Sequence, residues 1–163
     1  MPPNVINKFN LSQWGAPTFL IPKKDSIVRF IYEFRELNKR ILRQPYPIPK
    51  IQDLLLRLEG FRYGTTLDLN MGYYHIEISD KSKELCTIIT QWGKYEYQRL
   101  PMGLCNSPDI LQENMSKLFV GIYTVRVYIN DLFHVTKGSW KEHLTFLEEM
   151  FDRLHKAILK VNS

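Results

Sequence analysis

The chain has 163 residues, of which 44% are hydrophobic and 24% charged, with a net charge of +5. This composition favours one soluble domain with a substantial core, and no apolar run is long enough to span a membrane. The first residues lack a basic segment followed by an apolar one, so we expect no secretory signal and an intracellular location, in the cytoplasm or nucleus. Cys86 and Cys105 show no metal-ligand spacing and are interpreted as buried structural thiols.

The excess positive charge lies between Lys23 and Arg62. This segment has ten Lys and Arg residues against five acids, whereas acids and bases balance in the remainder of the chain. A basic segment interleaved with aromatic residues suits a polyanion, either nucleic acid or nucleotide phosphates. The alternative is a solvated face of a mildly basic protein, and charge alone does not decide between the two.

The first third of the chain is predicted to contain a hairpin, a connector and two helical segments. Runs of β-forming residues on both sides of a polar Lys-Lys-Asp-Ser connection predict the hairpin. Three prolines cannot occupy a central strand or a helix interior and predict the extended connector. In chain order, the predicted bounds are 1–13 for an irregular arm, 18–22 and 27–34 for the strands, 35–40 for a short helical segment, 44–50 for the connector and 51–59 for an amphipathic helix.

An acid interrupts an apolar strand pattern at Asp68. A buried, unpaired carboxylate costs several kcal/mol, so this position needs a cation or a positively charged partner. Beyond it, alternating residues predict a return strand, and a glycine-containing turn predicts a second hairpin. The predicted bounds are 74–79 for the return strand, 80–84 for a charged connector, 86–90 and 95–100 for the hairpin strands and 101–106 for a loop.

The Asn130-Asp131 pair lies between two runs of β-branched and aromatic residues, over 125–135. This pattern is typical of a tight hairpin with positive φ at both turn residues. Most such pairs are only turns, but with the Asp68 strand this one becomes a candidate cation site.

Helices are predicted on both sides of this hairpin. Ser107 and Pro108 are an N-cap and a first-turn proline for a helix over 108–119, and a capping box at Ser139 begins the last helix. No closing element is predicted after the last helix. Its apolar stripe is formed by Leu144, Leu147, Met150, Phe151 and Leu154. The order of elements predicts an α+β fold of the split β-α-β type, with helices on one face of an antiparallel sheet.

Over nearly its whole length the chain resembles the fingers and palm of a reverse transcriptase, most closely those of gypsy-type long-terminal-repeat retrotransposons. The resemblance implies a polymerase right-hand fold with fingers at 1–43 and 77–105, palm at 44–76 and 106–163, and the thumb and ribonuclease H domain absent. The motifs that carry it are Trp14-Gly15-Ala16-Pro17, Lys23-Lys24-Asp25 with Arg29, Phe34-Arg35-Glu36-Leu37-Asn38, Tyr46-Pro47-Ile48-Pro49, Leu67-Asp68-Leu69 with Gly72-Tyr73, Leu100-Pro101-Met102-Gly103 with Ser107-Pro108, and Tyr128-Ile129-Asn130-Asp131.

The resemblance implies an RNA-directed DNA polymerase that adds deoxynucleotides to a primer on an RNA or DNA template. Two Mg²⁺ ions, replaceable by Mn²⁺, would stabilise the attacking and leaving oxygens. The matching catalytic positions are Asp68, Asn130 and Asp131, and the matching metal ligands are Asp68, Asp131 and the Leu69 carbonyl. No membrane partner is implied; the other expected partners are the thumb and ribonuclease H domains of a polyprotein.

Further matching positions concern the nucleotide and the primer. Tyr128 matches the residue beside the primer end, and Tyr73 matches the aromatic residue that excludes a 2′-hydroxyl. The positions matching nucleotide-binding residues are Lys23, Lys24, Arg29, Tyr73, Met102 and Gly103. Other interpretations stay open: the two tyrosines as half-buried strand residues, Arg29 as a partner of Glu33, and Gly72 as a bulge. The four histidines match no site and are interpreted as structural.

The family hairpin normally carries two acids, and in this chain the first is Asn130. Asparagine suits the turn but removes one negative charge that faces the cations, which predicts a rate loss of about 10²-fold to 10³-fold or more. The absence of a thumb predicts weak, salt-sensitive duplex binding. Three hypotheses follow: an active polymerase, a catalytically dead nucleic-acid-binding module, and a structural retroelement remnant.

Overall fold

The computed structural model describes the backbone of residues 4–9, 11–22, 28–57 and 59–162, and their side chains except those of residues 28–30, 55 and 57. The chain divides into two compact units. Unit 1 takes in residues 1–43 and 73–107, and unit 2 takes in residues 44–72 and 108–163. The assignment of chain segments to fingers and palm remains a prediction. No helix among the described residues is long and apolar enough to cross a membrane.

Unit 1 contains a five-stranded sheet in the order β1-β6-β5-β2-β3. The predicted hairpin is confirmed by the antiparallel pairing of β2 with β3, while β2 pairs with β5 in parallel. The prediction of an irregular arm at 1–13 was wrong, because β1 pairs with β6 there. The strands are β1 (Ile6–Lys8), β2 (Ala16–Pro22), β3 (Val28–Tyr32), β5 (Thr87–Thr90) and β6 (Gly93–Tyr97).

The predicted return strand at 74–79 is not a strand. Residues Gly72–His75 form a 3₁₀ helix, followed by one isolated bridge between Glu77 and Arg99. The alternating apolar residues instead serve the unit 1 core, where Tyr74 is buried. The charged stretch after them is a helix, α3 (Asp80–Leu85), not a connector. Ser79 caps it by accepting a hydrogen bond from the Ser82 backbone N–H.

The core of unit 1 is aromatic. Tyr74 and Tyr97 are stacked with ring centroids 6.1 Å apart, and the hydroxyls of Tyr32 and Tyr74 are 2.9 Å apart. Burial raises the pKa of both Tyr74 and Tyr97. Cys86 joins this core, where burial raises the pKa of its thiol to about 12, so its predicted structural role is confirmed. Cys105 is also free but only partly buried.

Unit 2 contains a four-stranded sheet in the order β7-β8-β4-β9. The strands are β4 (Tyr63–Leu69), β7 (Val125–Tyr128), β8 (Asp131–Thr136) and β9 (Val161–Asn162). β9 was not predicted, since the sequence showed no closing element after the last helix. It pairs with the end of β4, placing Asn162 opposite Asp68. The sheet is antiparallel throughout, as predicted.

Five α-helices lie among the described residues, and two of them flank the central hairpin of unit 2. Ser139 caps the last helix through the Glu142 backbone N–H, as predicted. Ser107 is the first residue of α4 and its hydroxyl donates to the Pro101 carbonyl, while its role as N-cap stays a prediction. Residues 44–50 form neither helix nor strand, in agreement with their three prolines. The helices are α1 (Arg35–Asn38), α2 (Ile51–Arg57), α3, α4 (Ser107–Leu118) and α5 (Trp140–Lys156).

One face of the unit 2 sheet is covered by α5. Along β8 the buried residues alternate, and His134 of this strand stacks against His143 of α5. The predicted stripe of α5 is only partly correct: Met150 and Leu154 are buried, whereas Leu144 and Phe151 are exposed. The hydrophobic face of α5 therefore extends beyond the side chains that the sheet buries.

Candidate active site

The two acids singled out in the sequence lie opposite each other in unit 2. Asp68 near the end of β4 pairs with Asp131 at the start of β8, which also pairs with Tyr128 of β7. Side chains of directly opposed residues leave the sheet on the same face, with Cβ atoms about 4.5–5.5 Å apart. Both aspartates are exposed, whereas their neighbours Leu69 and Leu132 are buried on the opposite face. The fold thus places two carboxylates together on the face away from α5.

The hairpin turn differs from the predicted one by one residue. The turn residues are Ile129 and Asn130, because Tyr128 already pairs with Asp131. Among them only Ile129 has positive φ, at 53°, which is unusual for a β-branched residue. A glutamine from α4 holds this conformation: Gln112 Oε1 accepts from the Ile129 backbone N–H at 2.7 Å. Because the turn ends one residue earlier than predicted, Asp131 is part of strand β8. Its position in the strand fixes the direction of its side chain.

Asn130 is tied to the Asp68 strand by its backbone. Its carbonyl accepts a hydrogen bond of 2.9 Å from the Leu69 N–H. Its side-chain Oδ1 is buried and has no hydrogen-bond partner among the described residues. A Cβ placed on Gly72 would lie 2.9 Å from this oxygen, so the glycine leaves the space that the Asn130 side chain fills. The alternative interpretation of Gly72 as a strand bulge does not apply, because Gly72 begins the 3₁₀ helix.

Two residues that support the site were missed by the sequence interpretation. Asn162 Nδ2 donates to Asp68 Oδ2 at 3.0 Å, across the β4–β9 pair. Gln112 Nε2 donates to the Val127 carbonyl at 3.1 Å, in addition to its contact with the turn. A two-residue strand carries no periodic pattern that could reveal Asn162. Gln112 is buried on α4 together with the polar Ser107 and Asp109, so its polarity did not distinguish it in the sequence.

The residues predicted to bind the nucleotide belong to unit 1 or lie outside the described residues. Lys23 and Lys24 lie outside them, and Arg29 is described only by its backbone in β3. Tyr73 lies in the 3₁₀ helix, where partial burial raises the pKa of its hydroxyl. Met102 is exposed.

Gly103 is the turning point of the loop after Met102. It has a φ of 90°, which favours glycine, and its carbonyl accepts from Asn38 Nδ2 at 2.8 Å. The same asparagine accepts from the Cys105 backbone N–H at 2.9 Å through Oδ1. Asn38 therefore fixes the loop conformation from the α1 side of unit 1.

The chemistry of the unit 2 acids fits a hard divalent cation. Mg²⁺ prefers carboxylate, carbonyl and amide oxygens, and Asp68, Asp131 and the buried Asn130 Oδ1 are all of this type. The described part of the chain contains no group of three or more His, Cys, Asp or Glu side chains placed to hold a metal ion. The charge available to a cation here is therefore that of two carboxylates, with an amide beside them.

Comparison with known proteins shows the family of the chain. The family model for reverse transcriptase (RNA-dependent DNA polymerase) matches residues 21–163. The chain is 33% identical over 161 residues to the Retrovirus-related Pol polyprotein from transposon 412 of Drosophila melanogaster, which covers 94% of this chain and 13% of that protein. It is 28% identical over 165 residues to the corresponding polyprotein from transposon gypsy of the same species, which covers 93% and 15%.

Solved structures of foamy virus proteins have the same fold. The protease-reverse transcriptase of prototype foamy virus superposes with a TM-score of 0.88 at 30% identity, covering 96% of this chain and 21% of that one. A foamy viral protease-reverse transcriptase in complex with an RNA/DNA hybrid gives a TM-score of 0.86 at 27% identity, covering 94% and 20%. The predicted α+β fold is thereby confirmed. The chain spans about a fifth or less of these proteins, and it belongs to the reverse transcriptase family, as a domain of the retrotransposon and retroviral Pol type.

Proposed function

We propose that this chain supplies the nucleotidyl-transfer site of an RNA-directed DNA polymerase, impaired by Asn130. The observation that carries the proposal is the register pair of Asp68 and Asp131, which projects two carboxylates from adjacent strands on one face. Asp68 and Asp131, with the Leu69 carbonyl as a further ligand, would hold Mg²⁺ or Mn²⁺. Such ions stabilise the charge on the attacking and leaving oxygens of phosphoryl transfer.

Each residue around the acids then has a role of its own. Asn162 orients the Asp68 carboxylate through its hydrogen bond to Oδ2. Gln112 holds the turn, and with it the direction of Asp131, through the Ile129 N–H. Tyr128, opposite Asp131, is proposed to lie beside the primer end. Preorganisation of this kind lowers the cost of placing the reacting groups.

The proposed partners are a template-primer duplex and deoxynucleoside triphosphates. A related foamy viral protein, solved in complex with an RNA/DNA hybrid, supports the choice of duplex. The basic segment between Lys23 and Arg62 supplies the positive charge that phosphates require. Lys23, Lys24, Arg29, Tyr73, Met102 and Gly103 are the proposed nucleotide-binding residues. Thumb and ribonuclease H domains of a polyprotein are proposed as covalent or non-covalent neighbours.

Asn130 supports a second candidate, a nucleic-acid-binding module without polymerase activity. An amide oxygen brings no charge to the cations, and losing one preorganised electrostatic group costs about 10²-fold to 10³-fold in rate. A buried carboxylate at this position would have to be compensated by a cation, whereas the amide needs none. The amide therefore suits a site that stays folded without metal.

Primer extension on an RNA template, with Mg²⁺ and with Mn²⁺ at low salt, tests both candidates. The variants are Asn130→Asp, which restores the first acid of the hairpin, and Asp68→Asn in the same background, which removes the acid of β4. Gel retardation of the duplex is measured in parallel. The polymerase proposal predicts that Asn130→Asp extends the primer at least about 10²-fold faster than the unmodified chain, and that Asp68→Asn abolishes this gain.

Binding without extension by any variant would favour the second candidate. Extension by the unmodified chain at the rate of Asn130→Asp would show that Asp68 and Asp131 suffice, and would contradict the impairment assigned to Asn130. Loss of binding in all variants would contradict both candidates.

A further inference from the structure

The helix α5 carries a row of apolar side chains that its own sheet covers only in part. Trp140, Leu144 and Phe151 are 54%, 38% and 41% exposed, and Leu147 between them is half-buried. We call these four residues the α5 seam. The face of α5 that is buried against the sheet is formed by residues such as His143 and Met150. Trp140 lies at the border of the two faces, with its ring 5.2 Å from the ring of Tyr63 of β4 and more than half of its surface exposed.

The spacing within the α5 seam is that of a helix pair. Its residues follow one another at intervals of four, three and four positions, which is the a/d pattern of a seam between two helices. A stripe at this spacing faces one direction along the helix. Four large apolar side chains in a row on one helix form a continuous strip, in contrast to the single exposed apolar residues of most surfaces.

Two charged residues lie along one side of the α5 seam. Lys141 and Glu148 are exposed, and neither makes an ion pair with another described residue. They are seven positions apart, so about 10.5 Å separates them along the axis, and they cannot pair within one helix. Other charges on α5 do pair locally, as Glu149 does with Arg153 at 2.9 Å. A second helix that carries the same two charges and runs in the opposite direction would place its acid opposite Lys141 and its base opposite Glu148.

We propose that the α5 seam is a docking surface for a second copy of this chain, with the two α5 helices antiparallel. In this arrangement Trp140 faces Phe151 of the second copy, and Leu144 faces Leu147. The same register brings Lys141 opposite Glu148, and two-fold symmetry repeats this ion pair on the other side of the axis. Charge complementarity and apolar spacing thus specify the same register.

A parallel pair of α5 helices does not satisfy these charges. It would place Glu148 of one copy beside His143 of the other, because His143 flanks the side of the α5 seam that is opposite to Lys141 and Glu148. His143 is 1% exposed and stacked within its own unit. The antiparallel arrangement uses only side chains that are accessible. Because one helix per copy buries less area than a standard stable interface, the association is expected to be weak, with a Kd in the micromolar range or above.

Sedimentation equilibrium of the whole chain over roughly 10 to 500 µM tests the proposal. The unmodified chain is expected to show a monomer–dimer equilibrium. Lys141→Glu should raise the Kd at least about tenfold, since it places two acids opposite each other. The exchange variant Lys141→Glu/Glu148→Lys should restore the original Kd. Phe151→Glu should abolish the dimer, whereas the control Lys81→Glu, a charge reversal on α3 of unit 1, should change nothing.

Thermal unfolding of each variant, followed by circular dichroism, separates loss of docking from loss of folding. The exchange variant adds a test by recovery of the dimer, which a loss of stability cannot produce. A chain that stays monomeric throughout this range overturns the proposal. So does a dimer that is insensitive to Lys141→Glu and Phe151→Glu, because it must use another surface. Failure of the exchange variant to restore a dimer that the single change abolished overturns the antiparallel register.

Discussion

The imidazole rings of His134 and His143 are stacked with their centroids 4.3 Å apart and their planes 24° from parallel. His134 is fully buried, and its Nε2–H donates to the His143 carbonyl at 3.1 Å. Its Nδ1 is buried and has no hydrogen-bond partner among the described residues. The His143 ring lies between the hydroxyls of Thr65 and Thr136, at 3.0 and 2.9 Å. The two histidines are structural, as expected, and join β8 to α5.

This stack predicts that unit 2 loses stability in mild acid. Burial lowers the pKa of His134, so the unfolded chain binds a proton at a higher pH than the folded chain. The His134 contribution to stability is therefore complete above the unfolded pKa of about 6.5 and falls as the pH drops below it. Urea unfolding at pH 8 to 5 should show a smaller decline for His134→Leu. The same change at the exposed His155 should leave the decline unaltered, and equal declines in all three proteins would contradict the prediction.

Gly72→Ala should destabilise unit 2 because the added Cβ would lie 2.9 Å from Asn130 Oδ1 and 3.3 Å from Leu69 Cβ. Overpacking of this kind typically costs about 1–3 kcal/mol. In the background Asn130→Ala the first contact disappears, so the cost of Gly72→Ala should shrink. The free energies of unfolding in urea for the four proteins form a double-mutant cycle. Strict additivity of the two changes would show that the two side chains do not compete for one space.

Gln112→Ala should loosen the hairpin turn. It leaves the Ile129 N–H and the Val127 carbonyl without their partner, and each buried unpaired group costs about 1–3 kcal/mol. The positive φ of Ile129 then also loses the contact that holds it. Asn114→Ala, on the exposed side of the same helix, is the control for helix propensity. A free energy of unfolding equal to that of the control would show that Gln112 does not support the turn.

Asn130→Asp should make the stability of the chain depend on divalent cations. The Asn130 Oδ1 position is buried, so a charged carboxylate there is destabilised by desolvation and by the nearby Asp68 and Asp131. Without metal, the thermal unfolding temperature of the variant should lie below that of the unmodified chain. Added Mg²⁺ or Mn²⁺ should raise it more in the variant, since any ligand of the folded state stabilises that state.

Adding Asp68→Asn to this variant serves as its control, because it removes one ligand and should reduce the response to Mg²⁺. An equal rise in unfolding temperature for the variant and the unmodified chain would mean that position 130 does not face the cation. This measurement needs neither nucleotide nor duplex, so it reports on the metal site independently of polymerase activity.

The sequence was sufficient for features that depend on neighbours in the chain. The capping box at Ser139, the connector at 44–50 and the apolar runs on both sides of Asn130 are local patterns, and the structure confirms the elements that they predict. The pairing of Asp68 with the Asn130-Asp131 hairpin as a candidate cation site also follows from the sequence. Such features are visible because helix caps, prolines and strand alternation act over a few residues.

Features that depend on distant partners were decided by the tertiary structure. Asn162 reaches Asp68 only because β9 returns to the edge of β4, and a two-residue strand has no pattern of its own. The turn begins at Ile129 because Gln112 of α4 meets it there. The apolar residues of α5 are alike in the sequence, yet the sheet buries Met150 and leaves Phe151 exposed. The pattern of side chains in the sequence indicates which residues need a hydrogen-bond or packing partner, whereas the tertiary packing decides which of them are given one.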